Sequence, residues 1–135
     1  MRQKRLPVVV VVLTVVTVLA VLGLASCGFK RKLVSITVIP NKVTLGGPDL
    51  SVQFKAIGNY IHPPDSRDIT DSVVWESAAP DVVSINATGL ATSGLACGTN
   101  ITITATAFSH PASKSGSVVI GTATVDVTCP GAVAH

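Results

Sequence analysis

After Cys27 the chain places apolar residues at every second position in short runs, and nowhere sustains an apolar repeat of 3.6 residues. A period of two marks a strand with one buried and one wetted face and excludes an amphipathic helix over the same residues. Val34, Ile36 and Val38 alternate with Ser35 and Thr37, and Pro40 ends that run. Leu50, Val52, Phe54 and Ala56 alternate with Ser51, Gln53 and Lys55. Ile101, Ile103, Ala105 and Ala107 face away from Thr102, Thr104 and Thr106, while Val119, Gly121, Ala123, Val125 and Val127 share one face near the end. Between them lie Val73 and Trp75, then Val82 to Ile85, then Leu90 to Thr92. The pattern predicts an all-β antiparallel sandwich of about seven strands, each half-buried between two packed sheets. Phe54 and Trp75, the only Trp, are expected to fill the space between the sheets, and a buried indole N–H needs an acceptor.

Ahead of this region stands a different kind of sequence. Arg2, Lys4 and Arg5 precede a charge-free apolar run from Val8 to Leu24, and small residues then lead to Cys27. This is the anatomy of an export signal, which takes no part in the fold. Seventeen residues at ~1.5 Å each fall a little short of a bilayer core of roughly 30 Å, yet they are long for a signal core. An uncleaved membrane anchor and plain secretion therefore stand as alternatives. The run Leu24-Ala25-Ser26-Cys27 resembles the lipobox of bacterial lipoproteins. The resemblance implies cleavage before Cys27, acylation of its thiol, and a lipid-anchored protein on the extracytoplasmic side. Gly28 takes the place of the aspartate that holds such proteins at an inner membrane, so the resemblance favours an outer membrane where one exists. Two or more acyl chains suffice for stable anchoring, and Lys30, Arg31 and Lys32 form a basic tether that either meets anionic headgroups or is simply solvated.

Composition is misleading unless it is divided at this point. The whole chain of 135 residues carries a formal charge of +3 and a pI near 9.0. From Leu33 onward only Lys42, Lys55, Arg67 and Lys114 oppose all seven acids, a net of −3. A mildly acidic domain offers no face for neutralising phosphates, which argues against a nucleic-acid partner.

The succession of motifs carries a second resemblance. Leu33-Val-Ser-Ile36-Thr-Val38-Ile-Pro40 is followed by the alternating run Leu50 to Gly58, and Asp68-Ile69-Thr70 then leads into Val73-Val74-Trp75-Glu-Ser77. Val83-Ser84-Ile85, Thr88-Gly89-Leu90-Ala91-Thr92 and Gly98-Thr99 before Ile101 to Thr106 complete the order. This resembles the bacterial immunoglobulin-like domain, group 2, of intimin- and invasin-like surface proteins. It implies a non-enzymatic module used for spacing and adhesion. The expected organisation is a signal peptide at 1–26, a lipidated Cys27 and basic tether at 27–32, an Ig-like domain at 33–129 and a tail at 130–135. Gly89 and Gly98 fall where turns need positive φ, and Asp68 is placed to cap a turn through its side-chain oxygen.

With Cys27 assigned to lipid, Cys97 and Cys129 form an even pair in an exported domain and are expected to make a disulfide. They stand at the start of the penultimate strand and the end of the last, so they meet if those strands are antiparallel neighbours. Cys129 shares parity with Val125 and Val127, which predicts an inward side chain.

Few residues suggest chemistry. Asp65, Asp68 and Asp71 gather oxygen ligands of the kind calcium takes, but Arg67 sits among them and turn capping explains them better. His62, His110 and His135 are scattered, with no nucleophile at a recognisable motif position. No cofactor is implied. The segment from Asn59 to Asp68, with Tyr60, Ile61 and His62 at its tip, and the segment from Ser109 to Ser117 are the candidate binding loops. The expectation is a monomeric envelope protein whose domain meets a protein or polysaccharide partner. An accessory subunit of an envelope complex and a calcium-dependent carbohydrate-binding module are the alternatives.

Overall fold

A computed structural model describes residues 31–109 and 116–129. Cys27 and the run Val8 to Leu24 lie outside the described residues, as do His110, Lys114 and His135. The strands are β1 (Lys32–Ile39), β2 (Lys42–Leu45), β3 (Ser51–Gln53), β4 (Lys55–Ile61), β5 (Asp65–Asp68), β6 (Val74–Ser77), β7 (Val83–Ile85), β8 (Leu90–Ser93), β9 (Gly98–Phe108) and β10 (Val118–Val127). A short 3-10 turn covers Thr70–Ser72.

Hydrogen bonding groups the strands as β1-β4-β5, β3-β8-β7 and β2-β10-β9-β6. Only Phe54 separates β3 from β4, so the first two groups form one layer facing the four-stranded sheet. Pro40, which cannot donate to a ladder, ends β1, and the chain then crosses layers: β2 runs parallel to the upper half of β10, from Lys42 opposite Thr124 to Leu45 opposite Val127. All other pairings are antiparallel. The sandwich is thus as expected from the alternation, although ten strands replace the anticipated seven. The additions are β2, β5 and the division of one long run at Phe54.

Each layer contributes its alternate residues to one core. Leu33, Ile36, Val38, Phe54, Ala56, Val83 and Ala91 meet Leu45, Trp75, Ile103, Ala105, Ala123, Val125 and Val127. The rings of Phe54 and Trp75 lie 6.4 Å apart with a 40° tilt, within the range favoured by aromatic pairs. Small residues on β9 and β10 leave room for these rings and for β1, which crosses β10 at Gly121. A Cβ at Gly121 would lie 2.7 Å from the Ile36 carbonyl oxygen, a backbone atom that cannot step aside.

Four details depart from the expected alternation. A β-bulge between Leu33 and Ser35 places Leu33 in the core and turns Val34 outward, because an inserted residue reverses the facing of what precedes it. Leu50 precedes β3 and is exposed. Gly98 opens β9 without positive φ, whereas Gly89 has φ +79°. Cys129 does not point inward: β10 ends at Val127, parity lapses beyond it, and Cys129 is exposed.

The disulfide itself is present. Cys97 and Cys129 are bonded, with Cα atoms 5.5 Å apart, at the end of the sandwich where β9 begins and β10 finishes. The sequence separation is 32. Replacing both cysteines by alanine is expected to lower stability by roughly 3.5 kcal/mol in the chain-entropy account, read as a fall in the urea midpoint at nearly unchanged core packing.

Candidate functional site

The most concentrated polar chemistry lies where the chain passes from β5 to β6. Thr70 is buried there, and each of its polar groups is used. Its N–H donates to Asp68 Oδ1 at 3.0 Å, and its hydroxyl donates to the same oxygen at 2.5 Å. That hydroxyl also accepts the Ala56 N–H at 3.0 Å, and the Thr70 carbonyl accepts the Trp75 indole N–H at 2.9 Å. Asp68 therefore caps the turn as its position suggested, and the indole has its acceptor. The two bonds from Thr70, its hydroxyl first, hold the Asp68 carboxyl below its ordinary value of 3.8.

Beside this turn an open cleft of about 540 Å³ is lined by Gln53, Lys55, Asp68, Thr70, Asp71 and Thr88 among others. Most of its lining residues are polar, but several of the groups are already engaged. Gln53 Nε2 donates to the Phe54 and Thr88 carbonyls at 2.8 and 2.7 Å. Asn86 Oδ1 accepts the Thr88 and Leu90 N–H groups, both at 3.0 Å, shaping the turn that ends in Gly89. The Gly89 carbonyl then accepts the Phe54 N–H at 2.8 Å. A side chain at Gly89 would sit 2.7 Å from the Phe54 oxygen and 3.1 Å from the Trp75 ring, on top of the unfavourable φ. The cleft is the outer surface of the core clasp.

The segment from Asn59 to Asp68 is a β-hairpin rather than a loop. Tyr60 and Ile61 belong to β4, paired with Leu33 and Lys32 of β1, and Tyr60 packs partly buried against the core. Only the turn from His62 to Pro64 is free of the ladder, and His62 is exposed with φ +62°. β4 runs on through Ile61 and draws Tyr60 partly inward, so of the Tyr60-Ile61-His62 segment only His62 is exposed, at the turn. Asn59 explains part of this extension, its Nδ2 donating to Ser35 and Thr37 hydroxyls at 3.1 and 3.2 Å while its Oδ1 accepts from Ser66.

The three aspartates do not converge. Asp65 and Asp68 stand at opposite ends of β5, where an odd spacing sends side chains to opposite faces. Asp65 Oδ2 accepts from Arg67 Nε at 2.6 Å and lies 3.8 Å from Arg31 Nη1. The Arg67 bond first, and then the charges of both arginines, lower its carboxyl. Asp71 is in the 3-10 turn. Among the described residues no three His, Cys, Asp or Glu side chains form a metal-binding group.

Two features had weaker signals in the sequence. Asp126 accepts the Asn100 N–H at 2.6 Å and pairs with Lys42 Nζ at 3.1 Å, tying β2, β10 and β9 together near the disulfide. The Asn100 bond, then Lys42, lowers its carboxyl. At the opposite end, Phe108, Val118 and Ile120 occupy outward positions that along the middle of β9 and β10 are filled by threonines. That break in the Thr-rich parity is legible in the outward residues, whereas the period-two signal of the fold lies in the inward ones.

A family model for the bacterial Ig-like domain (group 2) matches residues 33–118, from the first core residue of β1 to the first residue of β10. The chain belongs to this family. Bacterial Ig-like domains of this group are commonly structural or adhesion modules, and they occur in bacterial surface and extracellular proteins. The match covers the Asp68-Thr70 clasp, Trp75 and Gly89 and stops as β10 begins; β10, paired to β9 along its length, completes this Ig-like sandwich. No curated protein matches the chain.

Two outcomes follow from the clasp. Thr70→Val leaves the Ala56 N–H buried without its acceptor and should cost about 1–3 kcal/mol in urea denaturation, with Thr70→Ser retaining most of the stability. Asp65, Asp68 and Asp126 all have folded values below 3.8, so the folded state binds fewer protons than the unfolded chain. Their stabilisation is complete above the ordinary carboxylate value and is lost as pH falls through the lowered folded values. The denaturation midpoint should therefore begin to fall as pH drops below about 5 and keep falling through the lowered folded values, less steeply in an Asp68→Asn variant.

Proposed function

We propose that this chain is a non-enzymatic, lipid-anchored protein of the bacterial cell envelope, whose Ig-like domain serves as a structural, adhesion or protein-interaction module. The observation that carries the reading is the order Leu24-Ala25-Ser26-Cys27 followed, within six residues, by the first core residue of an Ig-like domain, Leu33. Cys27 would carry the acyl chains, and an outer membrane is the favoured location where there is one. The family membership supports a structural role. So does the engagement of Gln53, Asp68 and Thr70 in holding turns, which leaves the cleft beside them poorly equipped for chemistry. An Ig-like domain on a short tether suits a component held close to the membrane, presenting its surface to an envelope protein or polysaccharide.

The test is the intact mass and detergent partitioning of the protein from its native membrane, beside a Cys27→Ser variant. The expected result is a chain cleaved before Cys27, heavier than its sequence by the lipid, and lost from the detergent phase in the variant. An unmodified full-length mass in both would overturn the lipid anchor and leave the apolar run as the membrane attachment.

A further inference from the structure

The topology sends three things to one end of the sandwich. β1 begins there at Lys32, the β4–β5 hairpin turns there beside it, and β9 and β10 meet there through Phe108 and Val118. The disulfide and the end of β10 lie at the other end. β9 is 11 residues long, so the two ends are about 35 Å apart.

The end where β1 begins has an unusual surface. The bulge that turns Val34 outward sets it beside Val118 and Ile120, and these line a groove of about 400 Å³ with Lys32 at its edge. Phe108 is the partner of Val118 across the ladder. Phe108, Val118 and Ile120 are each more than half exposed, at 58, 53 and 57 %. Charge follows the same polarity. Among the described residues, Arg31, Lys32 and Arg67 oppose Asp65 at this end, whereas the rest of the domain holds Lys42 and Lys55 against the other six acids. An exposed apolar cluster with Lys32 at its edge, in an otherwise acidic domain whose remaining cations at this end gather around Asp65, fits the interfacial zone of an anionic bilayer, where apolar side chains enter the headgroup boundary and cations meet lipid phosphates.

The tether decides which surface meets the lipid. Five residue steps separate Cys27 from Lys32, a reach of at most about 18 Å even when fully extended. An anchor at Cys27 therefore keeps this end at the membrane and puts the disulfide end beyond the tether's reach. We infer that the end of the sandwich bearing Val34, Phe108, Val118 and Ile120 docks on anionic lipid, with Arg31 and Lys32 against the headgroups, so that the domain stands with its disulfide end outward. This rests on the membrane anchorage proposed above.

The experiment uses the full chain as isolated from membranes, reconstituted in phosphatidylcholine vesicles with and without phosphatidylglycerol and footprinted by hydroxyl radicals. Leu95, 89 % exposed near the disulfide, is the internal reference for Phe108. Docking predicts oxidation of Phe108 slowed about fivefold or more by phosphatidylglycerol while Leu95 is unchanged, an effect expected of buried apolar groups at a charged interface. An Arg31→Glu/Lys32→Glu variant should lose that difference. Equal oxidation of Phe108 in both vesicles overturns the inference. Protection that follows the protein-to-lipid ratio and ignores phosphatidylglycerol also overturns it, in favour of a second copy of the chain on the patch. Co-sedimentation with the vesicles in the same samples reads the anchorage separately, so a chain that sediments without Phe108 protection refutes docking alone.

Discussion

The bonds around Thr70 connect the two layers of the sandwich more directly than any other polar contact described. Thr70 takes its hydroxyl to the Ala56 N–H of one layer and its carbonyl to the Trp75 indole of the other, while Asp68 holds the turn in shape. Trp75 then fixes the position of Phe54, and both rest under Gly89. A buried polar group this central is stabilising only when all its partners are present, and here they are. The hydrophobic core supplies the driving force, but this clasp sets how the two sheets are seated on one another.

The sandwich was legible because alternation is enforced by burial: a strand with one wet face cannot hide its period. Trp75, Phe54 and the inward faces of β9 and β10 were readable for that reason, and Asp68 because a turn-capping side chain acts within two residues. β2 and β5 were not legible. Each has four residues, and β5 reads Asp-Ser-Arg-Asp with no apolar face. Such edge strands are defined by a neighbour's hydrogen bonds, which no local pattern records. The same limit explains Tyr60, since nothing beside Ile61 in sequence reveals that β1 extends far enough to pair with it. The bulge at Val34 and the loss of parity at Cys129 are one-residue events, and period-two reasoning has no tolerance for a slip of one.

The distribution of chemistry over the molecule is informative in the same physical terms. The carboxylates of Asp65, Asp68 and Asp126 are each engaged with an arginine, a threonine or a backbone N–H. These contacts organise hairpins and strand ends and leave little directed at a ligand. Surface shape and patch polarity remain as the features through which a structural or adhesion module of this family makes contact.

The parallel pairing of β2 with β10 has a mechanical meaning. The chain enters the domain at one end and leaves it at the other, and these two strands carry the load path between the ends. Tension applied between the N-terminal tether and residues beyond Cys129 pulls β2 and β10 lengthwise past each other, so the ladder from Lys42–Thr124 to Leu45–Val127 is loaded in shear and cannot open one bond at a time. The Cys97–Cys129 bond passes part of the same pull into β9. A small sandwich wired in this way meets a pull between its ends with several hydrogen bonds at once.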